Sequence, residues 1–373
     1  MAERSQNGLK FAYRVLSKIC LFLSDYSILK ETNLKMTEKE IKILDDTQAR
    51  ADAFLAAELN VARNQALNLI KSGSVSLNGK PLNKPSVKLN LGDVLRIKFE
   101  QSEPDTAKFE AEFEVPIIYE DEDLLVLNKP ANLVVHPAPS VKEPTLVDWL
   151  GAKGFLLSNL SGHSRAGIVH RLDKGTSGAI VVAKNNAAHA ALSSQLSDKS
   201  MGRIYLALTD LPLKQNCIVE RAIGRNPANR LKKAIVSSGR AAKSAFANLL
   251  FSEFDGSAHG KNAGVNLIAA KLFTGRTHQI RVHIASLNRH ILGDALYGFK
   301  SEKDKIGRVM LHAYGLYFTH PRTGGQMSFV APIWDDFSEI LLSKFSKENI
   351  DEKIDFMGLS ELFSHCDEWM RII

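Results

Sequence analysis

Four short apolar runs between residues 123 and 272 constrain the fold of this chain most strongly. DLLVLNKP, AIVVAK, RIYLALT and VNLIAAKL each have the length and the apolar content that are typical of buried strands. Helical spacing occurs between them, because Ala188, Leu192 and Leu196 recur one turn apart. Asn185 and Asn186 precede this repeat and belong to a residue type that caps helices. The pattern predicts an α+β fold.

A second helical pattern begins near Thr277, in the stretch TGRTHQIRVHIASL. Ile280 and Ile284 lie on one face of this predicted helix, and His278 and Arg281, three residues apart, share its polar face. Such a face is suited to hold a fixed positive charge. The alternative is an ordinary surface helix with solvated basic side chains.

Residues 48–100 have a different pattern of apolar residues and carry an excess of positive charge. Helical spacing comes first, followed by two short alternating strands and by Asn78-Gly79, a dipeptide that favours a tight hairpin turn. Between residues 61 and 98 there are seven Lys or Arg residues and one acid. We predict an RNA-phosphate surface here, and the alternative is a solvated basic face. The candidate RNA-binding residues are Arg63, Lys71, Lys80, Lys84 and Lys88.

The overall charge and the cysteines limit the class of protein. A net charge of +7 and an isoelectric point of about 9.1 favour a polyanionic partner, nucleic acid above all. Cys20, Cys217 and Cys366 have neither a metal-binding spacing nor the even number of a disulfide framework, so we expect a reducing cytoplasm. Charged residues interrupt the most apolar early stretch, and no cleavage site follows it, so we expect neither a membrane span nor a signal peptide.

These changes of pattern divide the chain into five parts. We predict an N-terminal extension over 1–45, a small α/β RNA-binding module over 46–102, a polar linker over 103–114, a main domain over 115–345 and a helical tail over 346–373. The pattern from Phe337 to the end fits an amphipathic helix.

The stretch HRLDKGTSG, at residues 170–178, places Asp173 beside basic residues and a turn. An aspartate in such a position often does no more than cap the turn. The basic helix predicted a hundred residues later offers a second interpretation, in which the carboxylate pairs with a fixed cation.

A larger set of motifs resembles the RluA/RluD-type pseudouridine synthases. In chain order they are IIYEDEDLLVLNKPANLVVHP, VHRLDKGTSG, YLAL, TGRTHQIRVHIASLNRHILGDALYG, LHAYGLYFTHPRTGG and FVAP, which span about residues 115 to 337. The front module resembles the S-four-like RNA-binding module. The resemblance implies a catalytic domain built on a mixed, mainly antiparallel sheet with flanking helices. Asn132 and Ala179 depart from the family, which usually has glycine and leucine at these positions.

The resemblance also implies roles for individual residues. Asp173 matches the aspartate that acts on the glycosidic bond of uridine before the base is rejoined through carbon five, and Arg281 matches the arginine that pairs with it. A carboxylate removed from water needs such a partner, because its desolvation is costly. Tyr205 matches the tyrosine that lies against the target base, and Arg171 matches the arginine that enters the space left by the flipped-out uridine. The alternatives are an ordinary strand aromatic for Tyr205 and a salt bridge beside the turn for Arg171.

The remaining candidate residues concern substrate and cofactors. His170, Thr176, Arg276 and His278 are assigned to substrate binding. Ten basic residues and two acids between residues 199 and 243 extend the predicted RNA surface, although a solvated face has the same composition. Because neither paired cysteines nor an HExxH pattern occurs, we expect no metal and no cofactor.

The sequence therefore predicts a cytoplasmic, monomeric enzyme that isomerises uridine to pseudouridine in RNA, with large-subunit ribosomal RNA as the first choice. Three routes stay open for the aspartate at this point. It adds to the anomeric carbon of the sugar, it adds to the base, or it first deprotonates the ribose. The alternatives are the same reaction on transfer RNA and a noncatalytic RNA-binding factor of ribosome assembly.

Overall fold

A computed structural model of the chain describes residues 36–45, 48–59, 61, 63–100, 113–138, 140–252, 264–298 and 306–373. Most of the predicted N-terminal extension and most of the predicted linker lie outside these described residues. Within the described ranges, each helix is too short or too polar to cross a lipid bilayer.

The front of the described chain folds into a small sheet with two helices. Its strands are β1 (Met36–Lys42), β2 (Val75–Leu77), β3 (Lys80–Pro81) and β4 (Val94–Glu100), and its helices are α1 (Ala51–Glu58) and α2 (Arg63–Lys71). The strand order is β1-β4-β2-β3. The predicted hairpin turn is confirmed, because Asn78 and Gly79 have positive φ angles of 51° and 77°, as the tight turn requires. Strand β1 pairs with β4 of this small sheet. The predicted domain boundary after residue 45 would therefore cut β1 off from the sheet to which it belongs.

The main body is organised around a ten-stranded sheet. Its strands are β5 (Ile117–Glu120), β6 (Leu124–Lys129), β7 (Ser177–Ala183), β8 (Gly202–Thr209), β9 (Cys217–Glu220), β12 (Lys243–Phe251), β13 (Asn266–Leu272), β14 (Leu311–Thr319), β15 (Gln326–Val330) and β16 (Arg371–Ile372). They lie in the order β16-β9-β12-β13-β8-β14-β7-β6-β5, and β15 pairs with β14. Strands β10 (Ile223–Arg225) and β11 (Lys233–Ile235) form a separate hairpin.

The four apolar runs of the sequence form β6, β7, β8 and β13, which surround β14 in the middle of the sheet. Among the described strands, β14 with β7 and β16 with β9 pair in parallel, and the other pairs are antiparallel. The expected fold class, a mixed and mainly antiparallel sheet with flanking helices behind a small α/β module, is therefore confirmed.

Seven helices of the described main body flank the sheet. They are α3 (Leu146–Ala152), α4 (Asn186–Asp198), α5 (Gln279–Ser286), α6 (Asp335–Leu342), α7 (Lys347–Lys353), α8 (Phe356–Ser364) and α9 (Cys366–Trp369). The predicted cap of α4 is confirmed, because the Asn185 side chain accepts a hydrogen bond from the backbone N–H of Ala188 at 2.9 Å.

Helix α5 is buried on both of its faces. Ile280 and Ile284 belong to the main core, while Val282 packs against the β10–β11 hairpin in a second cluster with Ile223. The alternative of a surface helix with solvated basic residues is therefore wrong, because Arg281 and His283 are also buried.

The C-terminal residues correct the expectation of one amphipathic helix. They form helices α6 to α9 and then strand β16, which pairs in parallel with β9 at the edge of the large sheet. Leu359, Phe363 and Met370 are buried in the main core. The tail thus completes the main body, since its apolar side chains cover the end of the sheet.

The front module is held against the main body through helix α2. The Gln65 side chain donates a hydrogen bond to Ser161 Oγ at 3.3 Å, and Ser161 Oγ lies 3.0 Å from Nε2 of His189 on α4. Leu160 of the main body is buried in the hydrophobic cluster of the module. Apolar and polar contacts therefore fix the module beside α4.

Candidate active site

Asp173 lies in the loop that leads into β7. The turn in this loop is closed by the backbone, since the N–H of Thr176 donates to the carbonyl of Asp173 at 3.0 Å. The carboxylate is 17% exposed, and its Oδ2 lies 3.2 Å from Nη1 of Arg281. Turn capping therefore does not account for the side chain, which pairs with a cation from helix α5.

Arg281 divides its guanidinium between two carboxylates. Nε and Nη2 donate to Asp294 at 2.7 and 2.8 Å, while Nη1 donates to Asp173. Burial alone would lower the pKa of Arg281, but the hydrogen bonds and charges of the two aspartates raise it above its usual value. Arg281 is a permanent cation whose position is fixed by a bidentate ion pair.

Asp294, which fixes Arg281, was missed by the sequence analysis. Its side chain is 1% exposed and also accepts the backbone N–H groups of Leu296 and Tyr297. Burial would raise the pKa of Asp294, but the hydrogen bonds and charge of Arg281 outweigh this effect and lower it. The available signal was an acid in the GDALYG part of the motif that contains Arg281.

Tyr205 comes from β8 and lines the same cavity as Asp173 and Arg281. The residue is 4% exposed, and burial raises the pKa of its phenol, so the hydroxyl is protonated at neutral pH. Strand β8 lies between β13, which leads into α5, and β14, which pairs with β7 after the Asp173 loop. The order of the strands thus brings together three residues that are far apart in the sequence.

His278 lines the cavity beside this group and is held by Tyr297. His278 precedes α5 with a left-handed φ of 60°, its Nδ1 lies 2.9 Å from the Tyr297 hydroxyl, and its Nε2 lies 3.9 Å from Oδ2 of Asp173. Burial lowers the pKa of His278, which favours a neutral ring at neutral pH. Tyr297 packs its ring 5.0 Å from the guanidinium carbon of Arg281 and accepts the backbone N–H of Lys233. Tyr297, which the sequence analysis also missed, therefore links the basic β10–β11 hairpin to the cavity.

The other predicted substrate-binding residues separate into two groups. Arg171, Thr176 and Arg276 line the cavity together with His278. His170 is not part of the described cavity wall. It is buried, its Nε2 accepts the backbone N–H of Val181 at 3.1 Å, and burial lowers its pKa to about 3. His170 therefore supports the loop from behind, which corrects the expectation that it contacts substrate.

The predicted RNA-binding residues of the front module are on its surface. The side chains of Lys71, Lys80, Lys84 and Lys88 are exposed. Arg63 is also half-exposed, but its guanidinium donates two hydrogen bonds to the buried carboxylate of Asp52 at 3.1 and 3.2 Å. The four lysines thus present charge to solvent, while Arg63 also supports helix α1.

One group of side chains in the described ranges has the spacing of a metal site. It consists of Asp121, Asp123 and His320, whose potential ligand atoms lie within 4.8 Å of one another. The guanidinium of Arg322 donates to Asp123 at 2.8 Å, and Nε2 of His320 lies 2.8 Å from Asp121. Because Asp123 is already paired with a guanidinium and Asp121 with the His320 ring, the group is suited to a polar network rather than to a cation.

Comparisons with known proteins show which families this chain resembles. Residues 123–286 match the model of a family described as RNA pseudouridylate synthase, and residues 49–95 match the model of the S4 domain. An "Uncharacterized RNA pseudouridine synthase" of Helicobacter pylori is 51% identical over 309 residues, which cover 82% of this chain and 93% of that protein. "Ribosomal large subunit pseudouridine synthase D" of Neisseria meningitidis is 38% identical over 361 residues, which cover 93% of this chain and 91% of that protein. Among solved structures, "Human RNA Pseudouridylate Synthase Domain Containing 1" has 26% identity and a TM-score of 0.48, and covers 61% of this chain and 86% of that chain.

Proposed function

The chain belongs to the RNA pseudouridylate synthase family and is an RNA pseudouridine synthase, and from this premise we propose that it modifies large-subunit ribosomal RNA through Asp173 without a cofactor. The observation that carries the proposal is the common cavity of Asp173, Tyr205 and Arg281. The choice of RNA rests on the Neisseria relative, whose name specifies the large ribosomal subunit.

The chemistry requires a carboxylate and proton transfers. The bond between N1 of uracil and the anomeric carbon breaks, a bond from carbon five to the same sugar carbon forms, carbon five loses a proton and N1 gains one. Substrate and product have the same atoms and oxidation state, so acid and base groups suffice. This balance supports a reaction that needs neither a redox cofactor nor a metal.

Asp173 is the proposed reacting group. Each of the three routes, attack on the sugar, attack on the base and deprotonation of the ribose, needs a carboxylate that faces the nucleoside. Arg281 supplies the opposite charge that such a carboxylate requires once a base covers it and excludes water. Because Asp294 holds two of the guanidinium N–H groups, Arg281 offers its remaining edge to Asp173 in one orientation.

Tyr205 and Arg171 are proposed to hold the flipped-out uridine. Stacking of a base on an aromatic ring contributes about 1 to 3 kcal/mol, and Tyr205 supplies such a ring in the cavity wall. The Tyr205 hydroxyl is a candidate for moving a proton, because it is protonated at neutral pH. Arg171 is exposed at the rim of the cavity, where it is placed to fill the gap left in the RNA stack.

We further propose a monomer in a reducing cytoplasm. Cys217 and Cys366 are buried as free thiols, which fits a compartment in which disulfides do not form. Sedimentation of the purified protein as a dimer would contradict the first part of this proposal.

The reaction is tested with ribosomal RNA that carries tritium on carbon five of uracil. We expect the wild type to release tritium to water and Asp173→Ala to release none, while Asp173→Asn still binds the RNA. Asp198→Asn, which changes an exposed aspartate at the end of α4, is the matched control and should keep full activity. Undiminished release by Asp173→Ala would contradict the proposed role.

The target is tested by mapping pseudouridines in RNA from a strain that lacks the gene. Loss of specific pseudouridines from large-subunit ribosomal RNA supports the proposal, and restoration by the wild type but not by Asp173→Asn ties the loss to catalysis. Loss confined to transfer RNA would move the proposed activity to that substrate. An assembly defect that Asp173→Asn fully repairs would instead indicate an additional role in ribosome assembly.

A further inference from the structure

Arg203 is a cation in the wall of the cavity that the proposed mechanism does not use. It lies on β8 two residues before Tyr205, so the two side chains project from the same face of the strand. Both residues line the cavity that contains Asp173. Arg203 is 7% exposed, so its charge is held largely out of water.

This buried charge has no counter-ion in the described part of the chain. Nε of Arg203 is buried without a hydrogen-bond partner, and no described carboxylate forms an ion pair with its guanidinium. Arg281, by contrast, has two carboxylates within 3.2 Å. A buried cation without a partner is costly, and such groups in a cavity are characteristic of ligand sites.

Gly275 lies next to the guanidinium in the cavity wall. A Cβ atom added to Gly275 would lie 3.0 Å from Nη1 and 3.5 Å from Nη2 of Arg203. The backbone of Gly275 does not have a positive φ, so an added methyl group meets no backbone strain but crowds the tip of the Arg203 side chain, which would have to shift by a few tenths of an ångström. The absence of a side chain at Gly275 thus leaves room for the Arg203 guanidinium in the cavity wall, next to Arg276.

The chemistry of arginine specifies the group that completes this site. A guanidinium only donates hydrogen bonds and is always charged, so an anionic acceptor satisfies both its hydrogen-bonding groups and its charge. Uracil is neutral, whereas the phosphodiesters on either side of the target nucleotide are anionic and enter the site with it. We propose that Arg203 binds one of the two phosphates that flank the target uridine when the nucleotide occupies the cavity, an inference that rests on the proposed function.

The phosphate contact is tested with a short RNA substrate in which each flanking phosphate is replaced in turn by a neutral methylphosphonate. Hydrogen bonds to charged groups contribute about 1.5–3 kcal/mol, which corresponds to a loss of about 10- to 150-fold. We expect one of the two replacements to lower kcat/KM of the wild type by such a factor, mainly through a higher KM. If neither replacement has an effect on the wild-type protein, the proposal fails without any need for a variant.

Arg203→Met and Arg203→Lys complete the experiment as a double-mutant cycle. With the methionine variant, the sensitive methylphosphonate should cause no further loss, because the phosphate has already lost its partner. The lysine variant keeps the charge and should keep part of the sensitivity. Equal losses from the methylphosphonate in the wild type and in Arg203→Met would overturn the proposal. Thermal unfolding of each variant shows whether it is folded at the assay temperature.

Gly275→Ala is a second variant that leaves Arg203 in the chain. The added methyl group should displace the guanidinium, raise KM and reduce the sensitivity to the same phosphate. Unchanged KM and unchanged sensitivity in a folded Gly275→Ala protein would argue against the site.

Pseudouridine formation on the unmodified RNA is measured before any of these comparisons. If the wild type forms no pseudouridine, both the proposed function and the phosphate site are contradicted. If it is active but its sensitivity to the methylphosphonate does not depend on Arg203, the phosphate site alone is contradicted.

Discussion

Nη1 of Arg281 lies 3.2 Å from Oδ2 of Asp173, although the two residues are 108 positions apart in the chain. The loop before β7 supplies the acid and helix α5 supplies the cation. Since Asp294 holds the other edge of the guanidinium, Arg281 is not free to turn away from Asp173. A carboxylate in this setting keeps one orientation toward a nucleotide in the cavity.

Replacement of Arg281 should reduce both stability and activity. Arg281→Met leaves the buried Asp294 carboxylate without its counter-ion, so the free energy of unfolding in urea should fall by about 3–5 kcal/mol. Arg281→Lys keeps the charge, but an ammonium group cannot donate to Asp294 and Asp173 with the fixed geometry of a guanidinium. This variant should therefore be destabilised less than Arg281→Met, and its rate of tritium release should still fall by most of the wild-type value. Arg371→Met, at an exposed position, is the control. An Arg281→Met protein that unfolds at the wild-type urea concentration would contradict the structural part of this prediction.

Asp294→Asn should destabilise the protein in a pH-dependent way. The hydrogen bonds and charge of Arg281 hold the folded pKa of Asp294 below the usual aspartate value of 3.8. A lowered pKa contributes stability that is present above about pH 4 and is lost as the pH falls through the folded pKa. The difference in melting temperature between wild type and Asp294→Asn should therefore be largest at neutral pH and shrink toward pH 3. If the difference in melting temperature stays constant over this pH range, the charge of Asp294 is not the cause of the destabilisation.

Two substitutions of Tyr205 separate stacking from proton transfer. Tyr205→Phe keeps the ring, so RNA binding should stay at the wild-type level while kcat falls. Tyr205→Leu removes the ring and should also weaken binding, by about 1–3 kcal/mol. Binding is measured with unmodified RNA by titration, and turnover by tritium release. Wild-type kcat in Tyr205→Phe would exclude a role for the hydroxyl.

Buried neutral histidines should make the protein sensitive to acid. Burial lowers the pKa of His189, His283 and His312 to about 4 from the usual histidine value of 6.5. The unfolded chain binds these protons first, so stability is lost as the pH falls from about 6.5 to about 4, by up to about 1.4 kcal/mol per pH unit and group. His189→Gln should flatten the curve of melting temperature against pH, whereas His365→Gln, at an exposed position, should leave it unchanged. An unchanged slope in His189→Gln would contradict the buried neutral state.

The exposed lysines of the front module should contribute to RNA affinity through phosphate contacts. Lys80→Ala and Lys84→Ala should each weaken binding and reduce the slope of log affinity against log salt by about 0.7 to 0.9. Lys353→Ala in the C-terminal tail, where the lysine pairs with Glu352, is the matched control and should change neither quantity. Equal salt slopes for the wild type and both module variants would indicate a solvated basic face.

The local parts of the fold were predictable because they depend on short-range patterns. Alternation and apolar content identified β6, β7, β8 and β13, the Asn185 side chain identified the start of α4, and Asn78-Gly79 identified a turn. Asn132, which departs from the glycine of the family, has a left-handed φ of 64°, a conformation that asparagine adopts more readily than most residues. Motif resemblance identified Asp173, Tyr205 and Arg281 as candidates before their geometry was known.

The sequence by itself determined the four central strands, the start of α4 and the turn at Asn78-Gly79, because hydrophobic periodicity, caps and turns act over a few residues. The tertiary structure alone decided which polar side chains face one another. Periodicity does not distinguish a polar helix face in water from one that is paired inside the protein, so α5 appeared equally suited to the surface. The order β13-β8-β14-β7 brought Arg281 beside Asp173, added Asp294, Tyr297 and Arg203 to their surroundings, and excluded His170. These relationships depend on strand pairing across a hundred residues, and no local pattern specifies them.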